Sequence, residues 1–349
     1  MKIIIVGCGK VGEALAAELN EEGNDITVVD QNSDKVKHVA TKYDIMGVIG
    51  NGATRDTQKE AGVDSADLLI AVTGSDELNL LCCLMAKKAG DCQTIARIKS
   101  PEYADDAPYL KDELGLAMVI NPEYAAASEI ARILKFPSAV KIETFAKGRV
   151  ELLKFRLPEN SPLVGMSLKD AMTKFKSNVL VCTVERGDEA YIPKGDFIFA
   201  ERDLISIIAS VKSTTDFLSK INYKVQTAKD VAIIGGGNVT HYLCEKLERA
   251  GIAVKIIEKD RQICEELAST FPSVTVICGN PADEAVLREE RVSSCDAFVA
   301  LTSLDEENIL LSLFAKNEGC SKVITKINRI EYDGVINKLD LDSIIYPKT

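Results

Sequence analysis

Apolar residues in this chain fall into short continuous runs separated by stretches of helical period. Ile3-Ile4-Ile5-Val6 and Ile26-Thr27-Val28-Val29 have the character of strands covered on both faces, as in a parallel sheet. Between them, Glu13 to Asn20 sets Ala14, Leu15, Ala17 and Leu19 at helical spacing. The same alternation continues, predicting strands near 2–6, 25–30, 45–50, 67–72, 94–98 and 117–120 with helices between them. That order predicts a right-handed, doubly wound parallel sheet whose ligand would sit beyond the strands' carboxyl ends. After Asn121-Pro122 a further helix is expected over Glu123–Phe136, bounded by proline at its start and Pro137 past its end.

From about residue 140 the pattern changes. Strand-like runs at Val140–Phe145, Val150–Leu157, Val179–Glu185 and Leu204–Ala209 accompany helices at Ser167–Phe175 and Thr214–Ile221, with no glycine-rich loop. This is expected to be a small α+β module, followed by a linker over Asn222–Asp230. The first pattern then returns. Ile5-Val6-Gly7-Cys8-Gly9-Lys10-Val11-Gly12 is matched about 228 residues later by Ile233-Ile234-Gly235-Gly236-Gly237-Asn238-Val239-Thr240. Asp30 is matched by Glu258, Gly50-Asn51 by Gly279-Asn280, Asp67 by Asp296, and Thr73, Asp76, Glu77 and Asn79 by Thr302, Asp305, Glu306 and Asn308. Arg97 and Tyr103 fall opposite Lys326 and Tyr332. A chance motif would not carry its surroundings with it, so the chain contains an internal duplication. Residues 1–137, 138–222 and 229–349 are the expected domains: two doubly wound sheets of Rossmann type flanking the small α+β module. Leu339–Pro347 corresponds to Leu114–Pro122, so the second repeat is expected to be truncated, with no second copy of the small module.

The repeated motif has a specific physical reading. In a strand–turn–helix, Gly7 permits the tight turn, Gly9 lets a pyrophosphate approach the backbone, and Gly12 lets the helix pack against the strand. Free amides and the dipole at the helix start form an anion site. Asp30, eighteen residues after Gly12, stands at the end of the next strand, where a carboxylate accepts the hydroxyls of an adenosine ribose and repels a 2′-phosphate. Candidate contacts in the first repeat are Gly7, Cys8, Gly9, Lys10, Val11, Gly12, Asp30, Asn51, Gly52, Ala53, Thr73, Gly74 and Arg97, all at strand ends. Those in the second are Gly235, Gly236, Gly237, Asn238, Val239, Glu258, Gly279, Asn280, Thr302 and Lys326, with Thr240 in place of the third glycine expected to hold its helix slightly off the sheet. Arg97 has a competing reading as an ion pair at a strand end. Asp76, Glu77 and Asn79 look like a helix cap and first-turn charges, and are left out of the site.

Composition narrows the classes. With 349 residues and 46% hydrophobic content the chain has enough apolar material for two or three cores. No apolar run approaches a membrane span and the N-terminus enters a strand at once, so the expectation is a soluble protein without a signal peptide or direct membrane insertion. A net charge of −11 speaks against non-specific nucleic-acid binding. None of the ten cysteines forms a CxxC pair; Cys8, Cys82, Cys83, Cys182, Cys244 and Cys278 are expected to be small buried hydrophobes in a reducing cytoplasm, and no metal site is expected. The two histidines, His38 and His241, fall in expected helices. That weakens the main alternative, an NAD-dependent dehydrogenase, which would need a general acid or base in a substrate cleft. A nucleotide-free scaffold is weakened by the intact glycines and by Asp30.

Taken together, these residues resemble the cytoplasmic regulatory subunits of Trk-type potassium uptake systems (TrkA-like), built from RCK nucleotide-binding and RCK carboxy-terminal domains. The resemblance is carried by Met1–Gly7, Asp25–Asp30, Glu60-Ala61-Gly62, Ala71-Val72-Thr73 with Asp76-Glu77 and Asn79, Ile95–Ile98 with Ser100-Pro101 and Tyr103, and Gly235–Asn238. Pro162–Gly165 and the stretch from Pro193 through Gly195-Asp196 to Asp203 carry it in the small module. It implies NAD(H) or an adenine nucleotide (ATP or ADP) as cofactor and a homo-oligomeric ring. Its implied partner is a Trk-type membrane potassium transporter subunit, bound at the cytoplasmic face. By the same resemblance Gly7–Gly12 cradle phosphates, Asp30 holds the ribose, Asn51-Gly52-Ala53 line the adenine region, Thr73-Gly74 approach the ligand's other half, and Arg97 meets phosphate or ribose.

Overall fold

The computed structural model describes residues 1–135, 139–145, 149–187, 189–223, 228–328, 339 and 341–347. Phe136, Pro137, Tyr332 and residues 224–227 of the linker lie outside the described residues. The first repeat runs β1 (Lys2–Val6), α1 (Lys10–Glu21), β2 (Asp25–Asp30), α2 (Ser33–Tyr43), β3 (Met46–Ile49) and α3 (Arg55–Glu60). It continues with β4 (Leu68–Ala71), α4 (Asp76–Ala89), β5 (Gln93–Arg97), α5 (Ala107–Glu113), β6 (Met118–Ile120) and α6 (Pro122–Lys135). Its six strands are all parallel in the order β3-β2-β1-β4-β5-β6, the doubly wound arrangement that the alternating pattern predicts. Strand order reverses beside β1, between β2 and β4, so the crevice opens where the chain turns from β1 into α1.

The small module contains β7 (Ala139–Phe145), β8 (Val150–Arg156), α7 (Leu168–Phe175), β9 (Val179–Arg186), β10 (Glu189–Tyr191), β11 (Leu204–Ala209) and α8 (Val211–Lys220). Its sheet is antiparallel in the order β10-β9-β11-β8-β7. Leu153, Phe155, Val184, Ile207, Phe217 and Leu218 form its core. β10 has no counterpart in the sequence expectation, because a three-residue strand carries too little periodicity to register.

In the second repeat come β12 (Asp230–Ile234), α9 (Asn238–Arg249), β13 (Ala253–Glu258), α10 (Arg261–Thr270), β14 (Thr275–Cys278) and α11 (Glu284–Glu289). They are followed by β15 (Ala297–Ala300), α12 (Asp305–Asn317), β16 (Val323–Lys326) and β17 (Ser343–Ile345), and the sheet order, β14-β13-β12-β15-β16-β17, repeats the first sheet strand for strand. The fold class is therefore as the sequence predicts. One connection is not: α6, contiguous with the first repeat, buries Ala126, Ala127, Ile130 and Leu134 in one core with Val231, Val239, Tyr242, Leu243 and Leu247 of the second. Tyr124 of the same helix meets the Tyr242 ring edge-on, 5.4 Å between centroids. The two sheets are thus joined through a shared hydrophobic core.

The cysteine expectation needs one correction. Cys8, Cys82, Cys83 and Cys244 are buried, but Cys182 is half-buried and Cys278 is exposed. β14 is an edge strand and Cys278 is its last residue, so no neighbouring strand covers it.

Ile130 is fully buried in the α6–α9 core, so Ile130→Ala should destabilise the chain by about 2–5 kcal/mol. Urea unfolding checks this, and a loss no larger than the roughly 0.5 kcal/mol of a surface substitution would contradict the shared core.

Candidate nucleotide-binding site

The β1–α1 turn is built by glycines at three different constraints. Gly7 adopts φ +108°, and a Cβ there would lie 3.0 Å from the backbone of Val72 and Thr73. A Cβ on Gly12 would lie 1.8 Å from the Gly7 carbonyl oxygen, so α1 rests directly on the turn. Gly9, the residue preceding α1, faces open space. The start of the helix is therefore open to an anion, which its dipole and free amides favour. Asp30 holds the turn from β2: its carboxylate accepts the Cys8 amide and the Asn32 amide, each at 2.8 Å. Four lone-pair positions on a carboxylate leave room for ribose hydroxyls beside those two bonds.

These residues line a cleft of about 650 Å³, a volume typical of a site for a small molecule or cofactor. Of the residues expected from sequence, Gly7, Gly9, Lys10, Val11, Asp30, Gly52, Thr73, Gly74 and Arg97 line it. Cys8, Gly12, Asn51 and Ala53 do not. Cys8 is buried behind the turn, and burial, followed by Asp30, pushes its thiol up to about 12. Gly12 is covered by the turn itself. The Asn51 side chain accepts the Ala53 amide at 3.0 Å, and Ala53 packs toward the hydrophobic core. Gly52 is needed for close packing, since a Cβ there would meet Val6 Cγ1 at 2.2 Å.

Sequence reasoning missed the far wall. Gln31 and Lys35 line the ribose end, and Pro122, Glu123, Ser303, Lys326, Asn328 and Pro347 close the other side, the last four contributed by the second repeat. Gln31 and Lys35 follow Asp30 closely in sequence, whereas the wall from the second repeat depends on an interface between the repeats that nothing in the local pattern encodes. Arg97 forms an ion pair with Glu123, so its strand-end ion-pair reading is realised while the residue still lines the cleft. Lys326, expected in the second site, lines the first cleft as well as the smaller gap beside Val239. Burial holds its ammonium below the usual lysine range, and Nζ donates to the Leu301 carbonyl at 3.1 Å.

Asp76 and Glu77 are first-turn acids of α4 as expected, and only the cap reading needs correction. Ser75, whose side chain accepts the Leu78 amide, is the cap of α4. Asn79 is fully buried: its Oδ1 accepts both the Thr73 amide and the Thr73 hydroxyl at 2.7 Å, and its Nδ2 donates to the Arg97 carbonyl at 2.9 Å. Asp76, also buried, accepts the Lys99 and Ser100 amides at 3.0 and 2.8 Å. The two side chains pin the loops after β4 and β5, and Thr73 and Gly74 of the first loop and Arg97 at the end of β5 line the cleft.

The second repeat keeps the turn, and Gly237, in the position of Gly9, also faces open space, but the surroundings differ. Gly235 adopts φ +100° against the backbone of Leu301 and Thr302, as Gly7 does against its own neighbours. Thr240, in the position of Gly12, is fully buried and its hydroxyl donates to the Gly235 carbonyl at 2.6 Å. Glu258 is buried, its carboxylate accepting the Gly236 and Asp260 amides at 2.6 and 2.8 Å. At Gly236, in the position of Cys8, Ile263 and Leu267 of α10 come so close that a Cβ would meet them at 2.5 and 3.0 Å. Asn238 Nδ2 and the Tyr242 hydroxyl donate to the Lys99 carbonyl of the first repeat at 3.1 and 3.3 Å. Gly236, Gly237 and Asn238 border a gap against Ser100–Glu102, and Val239 borders a smaller one with Lys326. Gly235, Glu258, Gly279, Asn280 and Thr302 line neither, so the structure does not gather the second set of candidates into one cavity.

The chain matches the TrkA-N domain family over residues 3–122 and 231–347 and the TrkA-C domain family over 152–222. It is 35% identical over 356 residues to Trk system potassium uptake protein trkA homolog 1 of Methanosarcina mazei, covering 100% of this chain and 86% of that protein. It is 32% identical to the TrkA homolog of Archaeoglobus fulgidus, covering 100% of this chain and 79% of that one. Among solved structures it is similar to the GsuK channel, with a TM-score of 0.75 at 16% identity over 99% of this chain and 61% of that one. GsuK solved bound to NAD gives a TM-score of 0.73 at 17% identity, over 99% of this chain and 61% of that one. Bound to ADP it gives 0.64 at 14%, over 99% and 66%. At such identities the likeness to GsuK shows the fold alone.

Removing the Asn79 side chain leaves buried backbone groups of Thr73 and Arg97 without their partner. Asn79→Ala should therefore cost about 1–3 kcal/mol in urea unfolding; an unchanged midpoint would mean that the two loops are held by other contacts.

Proposed function

This chain belongs to the TrkA family of Trk-system potassium uptake proteins, and we propose that it acts as a nucleotide-sensing regulatory subunit. In this reading the cleft of the first repeat takes NAD(H) or an adenine nucleotide such as ADP or ATP. The observation that carries it is the open cleft itself, with a glycine turn at a free helix start on one side and Asp30 on the other. The diphosphate lies along Gly7, Gly9, Lys10 and Val11, where backbone amides and the helix dipole favour negative charge. Asp30 takes the ribose hydroxyls, Gly52 lies under the adenosine, and Thr73, Gly74 and Arg97 receive the ligand's other half.

Support for a sensor over a catalyst comes from the cleft's chemistry. The relatives are named as potassium uptake proteins, and neither His38 nor His241 lines the cleft. His38 sits on α2 beside Glu13, and His241 packs against Phe271. What the cleft does have is a wall from each repeat. A ligand that touches both repeats binds some relative arrangements of them better than others, and only such differential affinity shifts a conformational equilibrium. Moving a population from 1:99 to 99:1 takes about 5.5 kcal/mol, which several sites in a homo-oligomeric ring could supply together. The partner in this reading is a Trk-type membrane subunit that carries potassium, with the ring at its cytoplasmic face and its gate biased by the ring's shape. No described helix is long and apolar enough to cross a membrane.

The direct test is binding to the purified chain. A thermal-shift panel with NAD⁺, NADH, NADP⁺, ADP and ATP should raise the melting temperature with NAD(H) or the adenine nucleotides, since a ligand at a hundredfold excess over Kd adds about 2.7 kcal/mol to stability. Stabilisation by NADP⁺ alone would contradict the role given to Asp30, and stabilisation by none of the five would contradict the reading as a whole. In Asp30→Ala the NADH response should disappear while circular dichroism stays that of the wild type; wild-type NADH affinity in that variant would reject the assignment.

A further inference from the structure

Two cysteines meet at the edge of the second sheet. Cys278 ends the edge strand β14 and is exposed, whereas Cys264, in α10, is 6% exposed. Glu258 brings them together. It stands directly across the parallel ladder from Cys278, and its carbonyl accepts the Cys264 thiol at 3.3 Å and the Gly279 amide at 2.9 Å. The Cys264 sulfur therefore lies against the backbone of the Cys278–Gly279 peptide, with the Cys278 thiol as its electrostatic neighbour. The chain has other neighbouring cysteines. Cys82, Cys83 and Cys92 interact, and the Cys320 thiol approaches the Cys295 carbonyl at 3.6 Å, but every member of those groups is buried. Only at Cys264 and Cys278 does a reagent in water reach one sulfur while a second waits behind it.

We propose that Cys264 and Cys278 form a reversible redox site that closes to an intramolecular disulfide in the presence of a low-molecular-weight disulfide of the glutathione type. The exposed Cys278 attacks first, as its thiolate. Its sulfur bonds to one sulfur of the small disulfide, releasing one small thiol and leaving a mixed disulfide on Cys278. Cys264 then resolves it: its proton passes to solvent, its sulfur bonds to Cys278 Sγ, and the second small thiol departs. Two protein thiols are oxidised and one small disulfide is reduced to two thiols, so electrons and protons balance. The order of attack follows from burial, which, ahead of the Cys278 contact, pushes the Cys264 thiol up to about 12 and suits it to the second step, when a leaving group is already in contact. A disulfide there would fasten α10 to the sheet edge. Ile263 and Leu267 of that helix pack against Gly236, so the bond would fix α10 beside the second turn while leaving the first repeat's cleft untouched. Thiol pairs that do this in a reducing compartment act as sensors, not as permanent staples.

The test is to incubate the full chain with oxidised glutathione and follow intact mass and non-reduced peptide maps. The wild type should lose two hydrogens and yield one linked pair of peptides carrying Cys264 and Cys278, both effects reversed by dithiothreitol. Cys264→Ser should stop at a stable glutathione adduct on Cys278. Cys278→Ser, a change at an exposed position whose folding a thermal melt confirms, should show neither adduct nor link at Cys264. A wild-type chain that keeps a stable glutathione adduct on Cys278, remains unmodified, or links other cysteines would overturn the proposal.

Discussion

The structure depends on the approach of α1 to its own preceding turn. With no side chain at position 12, the helix rests against the Gly7 carbonyl, where a Cβ would be 1.8 Å away. That contact sets the helix start at the lip of the sheet with the Gly9 face unobstructed, and Asp30 braces the turn through the Cys8 amide. Backbone dipoles and one carboxylate then converge on a single crevice without any further device.

The duplication supplies an internal comparison. The second repeat preserves the strand order and the positive-φ glycine, yet it replaces the contact at position 12 with a threonine hydroxyl bonded to the turn carbonyl. It also lengthens the acid by one methylene and packs Ile263 and Leu267 against Gly236, where the first repeat has Cys8. Its turn carries Asn238 and is followed by Tyr242, and both are committed to the first repeat through Lys99. One copy gathers its candidate residues into a single crevice, while the other uses the same scaffold to hold its neighbour. The shared core of α6 and α9 fixes the two copies in that relation, which is why Ser303, Lys326 and Asn328 reach the first cleft.

Much of this was legible in the sequence because it is local. Runs such as Ile3–Val6, the glycine spacing and an acid at the end of the second strand specify a doubly wound sheet and one wall of its crevice. What escaped was non-local. Arg97 could be placed at a strand end, but Glu123, its ion-pair partner, lies on a helix that reads as a connection between domains. Asn79 and Asp76 read as first-turn polar residues, because sequence does not show that backbone groups of Thr73, Arg97, Lys99 and Ser100 would converge on them. Lys326, read as belonging to the second copy, borders the gap beside Val239 and also lines the first cleft, because matching positions in a duplication face different surroundings once the copies are packed together.

The most direct measurement of the central claim is a crystal structure of the chain grown with NADH. One cofactor per chain is expected, its diphosphate on the turn from Gly7 to Gly12, its adenosine ribose on Asp30, and its distal half beside Arg97 and Lys326. Cofactor bound instead between Gly235 and Glu258 would contradict the account, as would an empty first cleft at saturating ligand.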